Sequence, residues 1–459
     1  RQPRPRPRHA GSASVSTIAP TQSPSPEPDP EPRSGGPTPI AGTQAPAAVQ
    51  APPDGQPAGH PAAQPEGQPA GQPAGTKATA SKSRPHLDAV DVIRLVMVAG
   101  VIAVHTVGLT TNPTDLLAGG LTVILHINRE VFFALTPFVL TYVYGARKGW
   151  SLTKFFKKRY LYVGAPYLAW SALYFLSNGS ERHGLHQVLH RAITDLLQGT
   201  AEYHLYFLLV TMEIYAVFPL LLWLLKATRR HHGALLAVFT AVQLAFSLDR
   251  HYRWAHPAFL NFFFEHPDQL ITSYMVFLVG GGVAAMHFDE MTAWVRGHMR
   301  LVRALSIAGL AVTLLGYCID HYVFGQNSAQ AGEVFQPSAI ITTAAVVAGL
   351  YALGLSWADR PQRKFKNTVA IVGDTSFGVY LAHPLALQGL LLIARPIAYR
   401  TRNGLIPSWI VLPVDLAVVV PCIFLVTGVV TRWLRYTPLS LPFTGRPRLV
   451  RSAGGGSGE

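Results

Sequence analysis

The chain has 459 residues, 49% of them hydrophobic and only 14% charged, with a formal net charge of +14. Apolar runs of about 20 residues recur along it, a length that crosses a bilayer and that a soluble core of this size does not need. The basic residues sit in short loops between those runs and not in a stripe on a polar domain, which argues against nucleic acid as a partner and for a polytopic membrane protein oriented by the positive-inside rule.

Residues 1–83 stand apart. RQPRPRPRH leads into Ser/Thr/Pro/Glu-rich sequence and then a degenerate repeat, GQPAGHPAAQPEGQPAGQPAG. Such a composition buries too little apolar surface to fold, so a disordered cytoplasmic tail is expected here. No signal-peptide pattern is read ahead of the first apolar run. From 84 to 436 the sequence reads as an all-α bundle of about ten transmembrane helices, and 437–459 reads as a second disordered tail.

The first span, DAVDVIRLVMVAGVIAVHTVGLT, runs from Asp88 to Thr110. It carries Asp91, Arg94 and His105. Arg94 and His105 fall about 20° apart around a helix and about 16 Å apart along it. Ionisable groups at membrane depth are costly and are usually functional. A neutral imidazole such as His105 can take a proton from a hydroxyl. The same two residues also read as a snorkelling cation and a hydrogen-bonded histidine. Asp91, three residues before Arg94, is placed to pair with it.

The second span, from about Leu121 to Gly145, contains the charged pair Arg129 and Glu130, for which Glu213 in the fourth span is a candidate partner. A basic loop follows, with Lys154, Lys157, Lys158 and Arg159. It reads as a topology determinant beside anionic lipid or as a receiver of phosphates. A third span begins near Tyr160. The polar segment GSERHGLHQVLHRAITDLLQGT then suggests a short interfacial helix. His204 opens the fourth span among aromatic residues, where a membrane-interface belt explains it without chemistry. The fifth span is short enough to tilt or be partly re-entrant, and the sixth holds Gly280, Gly281 and Gly282. In the ninth, Ser376, Tyr380 and His383 share one helical face and Pro384 is expected to kink the helix.

Alternating the ten spans from an inside N-terminus places sixteen Lys and Arg residues in the inward loops 146–159, 226–233, 288–303 and 358–367. The outward loops hold seven, which fits both termini in the cytoplasm. Cys318 and Cys422 are the only cysteines and both lie in apolar runs, so no disulfide framework or metal site is implied.

Four segments together resemble the integral-membrane acyltransferase 3 family of bacterial O-acyltransferases, over about residues 86–436. VDVIRLVMVAGVIAVH looks like its first span, with an Arg, ten residues and a His. REVFFALTPFVL, HLYFLLVTMEIYAVFPLL and TSFGVYLAHP are similar to later family segments, in the family's order. The chain differs in having Thr136–Pro137 for a Ser-Gly, Tyr206 for a Trp and Phe377 for a Tyr. The resemblance implies a plasma-membrane enzyme with no permanently bound cofactor. It implies acyl-CoA as co-substrate, with an acetyl or other short-chain group, and a carbohydrate or glycosylated acceptor. His105 would be the general base or acyl carrier with Arg94 beside the donor. Asp91, Arg129, Glu130, His204, Glu213, Ser376, Tyr380 and His383 are candidate donor or acceptor residues, and the loop cations candidate CoA phosphate contacts. The alternative reading is a multi-pass transporter, for which charged residues in several spans are equally natural.

Overall fold

A backbone surrounded by hydrocarbon must satisfy its own hydrogen bonds, and this chain does so with helices; no strand occurs among the described residues. The computed structural model describes residues 86–178, 184–252, 256–360 and 365–450. The tail of 1–83 and residues 451–459 lie outside them. The chain runs through α1 (Asp88–Thr110), α2 (Leu116–Tyr144), α3 (Leu152–Ser177), α4 (Leu185–Gln198), α5 (Tyr206–Ala227) and α6 (His232–Tyr252). It continues through α7 (Asn261–Glu265), α8 (Met275–Met286), α9 (Phe288–Gly297), α10 (Met299–Tyr322), α11 (Ser328–Ala331) and α12 (Ala339–Ala358). It closes with α13 (Lys366–Ile393), α14 (Arg395–Arg402), α15 (Ser408–Val414), α16 (Val420–Leu434) and α17 (Ser440–Thr444). A π-helical turn over Asp415–Val419 joins α15 and α16 into one run.

Eight helices among the described residues are long and apolar enough to cross a membrane: α1, α2, α5, α6, α10, α12, α13 and the α15–α16 run. The expected ten differ from these at two places. The apolar part of α3 is interrupted by Tyr160, Tyr162, Tyr167, Trp170 and Tyr174. Helix α8 has only 12 residues and, with the 3₁₀ turn Ile271–Tyr274 before it, bends by 87° into α9. Counting that bent pair as one broken span gives nine. The bend falls at His287, whose Nε2 lies 2.9 Å from His232 Nδ1 and whose Nδ1 lies 2.7 Å from Glu290 Oε2. The fifth span, expected to be short, is a full 21-residue helix in α6.

Helix α1 sits in the middle and packs on α2, α12, α13 and α16. Its Met97 and Ile102 are wholly buried. Lipid tails are as apolar as leucine, so close van der Waals contact, more than the hydrophobic effect, holds such helices together. Small residues allow that contact. A Cβ on Gly354 would meet the Ala89 backbone of α1, and one on Gly281 would overlap the Ala134 carbonyl of α2. Gly280, by contrast, faces open space.

The C-terminal stretch from 437, expected to be disordered, folds as far as Val450. Phe443 of α17 packs edge-on against Trp170 at 5.6 Å, and Trp170 Nε1 donates to the Phe443 carbonyl at 3.1 Å. Leu449 N–H donates to the Arg435 carbonyl at 2.7 Å. A polar composition conceals these anchors, because they are made to residues distant in sequence or to the end of the preceding helix. The glycine contrast is testable: Gly281→Val should cost about 1–3 kcal/mol by overpacking the α2–α8 contact. Thermal unfolding of the detergent-solubilised protein should show a lowered midpoint for Gly281→Val and little change for Gly280→Val.

Candidate active site

His105, in the second half of α1, lines a cavity of about 140 Å³. Arg129 and His126 of α2, Tyr203 and His204 before α5, Tyr206 of α5 and Tyr380 of α13 share its wall. The His105 ring lies 4.4 Å from Tyr203 and 5.4 Å, stacked, from His383. His204 is 5.3 Å from His383 and 5.2 Å from Tyr380. Three imidazoles therefore meet beside one cavity. Tyr380 Oη donates to the His204 carbonyl at 2.6 Å, which ties α13 to the entry of α5.

Pro384 explains the state of His383. Helix α13 continues through the proline, which has no N–H to offer the carbonyl four residues earlier, that of Tyr380. His383 Nδ1 lies 2.6 Å from that oxygen and so donates to it. Its Nε2 is left as a bare acceptor, buried without a partner. Both ring nitrogens of His204 and Nδ1 of His126 are likewise buried and unpartnered. Buried polar atoms are rarely left so, and several around one cavity indicate a place where a polar ligand completes the bonding.

Arg129 supplies the charge on the cavity wall. Its Nε and Nη2 donate to Glu130 Oε1 at 3.1 and 2.8 Å, and Nη1 donates to Asp268 Oδ1 at 2.6 Å. Its guanidinium also lies over Phe335 at 4.5 Å and Tyr274 at 5.0 Å. The expected partner Glu213 is not part of this arrangement. Its Oε2 accepts the Ile271 N–H at 2.7 Å, and it lines a different cavity.

Nearer the start of α1, Arg94 Nη1 donates to Asp91 Oδ1 at 3.0 Å, and His86 Nε2 lies 2.6 Å from Asp91 Oδ2. Arg446 and Tyr215 lie near Arg94. Tyr215 in turn carries Arg159 over its ring at 5.7 Å. Cations from α1, α3 and the C-terminal segment thus converge at this end of the bundle. Lys154, Lys157 and Lys158 instead extend exposed from the first turns of α3. Ser376 Oγ donates to the Gly373 carbonyl at 3.0 Å within α13 and does not line the His105 cavity.

The structure therefore gathers His105, Arg129, His204 and Tyr380 around one cavity, with His383 stacked on His105 and Glu130 paired behind Arg129. It sets Asp91, Arg94 and Arg159 at the basic end and leaves Ser376, Glu213 and the lysines outside both groups. Sequence reasoning missed His126, Tyr203, Asp268 and Arg446. Of these only His126 carried a signal, three residues before Arg129 on the same helix face. Among the described residues no three His, Cys, Asp or Glu side chains form a metal-holding group.

No curated protein and no solved structure matches the chain significantly. The family model described as an acyltransferase domain matches residues 87–430, about three quarters of the sequence, and takes in every helix that contributes to the His105 cavity. The transporter reading gives way to that match. This chain belongs to the acyltransferase 3 family and is a multi-pass membrane acyltransferase.

Proposed function

We propose that the protein is an O-acyltransferase of the plasma membrane, with both termini cytoplasmic. It moves an acetyl or other short-chain acyl group from acyl-CoA to a hydroxyl of a sugar, in a cell-surface polysaccharide or a glycosylated metabolite. The observation that carries the reading is the His105 cavity itself: a small buried space with a membrane-embedded imidazole, an arginine and several unpartnered ring nitrogens. Its volume of about 140 Å³ suits a short acyl group and one hydroxyl, not a whole coenzyme. The bulk of the donor then extends toward the basic end, about 16 Å along α1, where Arg94, Arg159 and Arg446 take its phosphates. The exposed lysines of α3 draw the anion in from the cytoplasm.

In this mechanism His105 accepts the proton of the acceptor hydroxyl as the oxygen attacks the thioester carbonyl. The carbon–sulfur bond breaks, and the thiolate leaves and recovers the proton. In a two-step variant His105 itself takes the acyl group first. Arg129, held by Glu130 and Asp268, stabilises the negative oxygen as it forms. His383, with Nδ1 committed to the Tyr380 carbonyl, fixes the packing of the His105 ring.

Two experiments test the reading. His105→Gln should lower acyl transfer about 10²–10⁴-fold, the usual contribution of a positioned acid–base group. Mass spectrometry of the acceptor from cells with equal protein abundance reads this, and an undiminished acyl mass overturns the role. Arg94→Ala and Arg159→Ala should each raise KM for acyl-CoA about tenfold, with kcat much less affected. Lys157→Ala should change KM by less than either. A pure kcat loss in the arginine variants would remove them from donor binding.

A further inference from the structure

A second cavity among the described residues is larger than the one beside His105. Leu209, Met212, Glu213 and Ala216 follow one another along one face of α5 at helical spacing and line a space of about 370 Å³. Tyr206, two turns before Glu213, and Phe207 belong to the His105 cavity. Opposite α5 the second cavity is walled by the end of α4 and by the segment around His266 and Leu270. Its volume falls within the range of about 300–1,000 Å³ usual for ligand sites. Most of the wall is hydrocarbon, and Glu213 is its one carboxylate.

Two further observations say what enters. Helix α4 has no buried residue and exposes Leu185, Leu189, Ile193 and Leu197 at four-residue intervals. A helix with such a stripe, outside the spans, lies in the membrane interface with the stripe turned to lipid. It ends at the cavity rim, where Leu197 and Gln198 form part of the wall. The mouth therefore opens to bilayer lipid. Glu213 stands on a membrane-spanning helix, and its recorded contact is the neutral Ile271 N–H at 2.7 Å. Among the described residues it has no cationic partner. A carboxylate at membrane depth is expensive unless a cation or further donors meet it.

We propose that this cavity binds a bilayer lipid with an ammonium head, its hydrocarbon against Leu209, Met212 and Ala216 and its ammonium on Glu213. The site is separate from the acyl-transfer centre and stands or falls independently of the role given to His105.

The test uses the full chain in lipid nanodiscs containing a photoactivatable phosphatidylethanolamine or, in parallel, a phosphatidylglycerol with the same chains. Crosslinked peptides are mapped by mass spectrometry. The exposed face of α10, with Ile307, Val312 and Leu315, serves as the internal reference for general lipid contact. The ethanolamine probe should label α5 and the 258–270 segment about tenfold more than the glycerol probe, the effect of one charge-assisted contact. Glu213→Gln, nearly isosteric, should erase that preference. Ala216→Trp should suppress labelling of the cavity by both probes while α10 labelling stays unchanged. Equal labelling by the two probes in the unaltered protein overturns the ammonium assignment. Cavity labelling that survives Ala216→Trp, with α10 labelling intact, overturns the site.

Discussion

A guanidinium inside a bilayer has to be accompanied by its counter-charges, and Arg129 shows what that demands of a fold. Glu130 is adjacent in sequence and comes without effort. Asp268 belongs to the stretch between α7 and α8 and must be drawn inward to reach Nη1. Tyr274 then donates to the Asp268 carbonyl at 3.1 Å and stacks its ring beneath the guanidinium. Glu213 receives the Ile271 N–H from the other side. These residues satisfy polar groups ahead of the 12-residue α8. The same stretch becomes the wall between two cavities, with Asp268 on the His105 side and His266 and Leu270 on the other.

Much of the architecture was legible because hydrophobic periodicity and length report directly on bilayer crossing. The apolar runs around α1, α2, α5, α10, α12 and α13 were placed from their composition alone. The departures have a common cause. Aromatic hydroxyls in α3 and the polar approach to α8 lower the local apolarity where tertiary bonding, not lipid, satisfies the polar atoms. The triple glycine acquires its meaning only in the packed bundle. Gly281 abuts the Ala134 carbonyl and Gly282 abuts Leu225, whereas Gly280 meets nothing.

The site was half legible. His105 stood out as an imidazole in an apolar helix, and Tyr380 and His383 shared a face by spacing. His204 looked like part of an interfacial belt, since nothing in a linear reading shows that its ring meets His383 from another helix. Asp268 and Tyr203 come from connecting segments, whose placement depends on the spans they join. Glu213, a candidate partner for Arg129 by sequence, meets the Ile271 N–H instead, because periodicity fixes which face of α5 it occupies but not which segment that face meets. By sequence Pro384 predicts a kink. Its more consequential effect is the carbonyl it frees and the tautomer it imposes on His383.

The fold-back of the C-terminal segment bears on how the molecule is made. Arg446 lies near Arg94, although the two are separated by almost the whole folded chain. Phe443 rests on Trp170 of α3, and Arg435 and Arg446 both approach Asp374 of α13. The ribosome must therefore deliver nearly every span before the basic end of the bundle exists in finished form. Nascent or prematurely terminated chains that already hold α1 and α13 lack this closure. A fusion partner joined directly after Val450 would sit beside it.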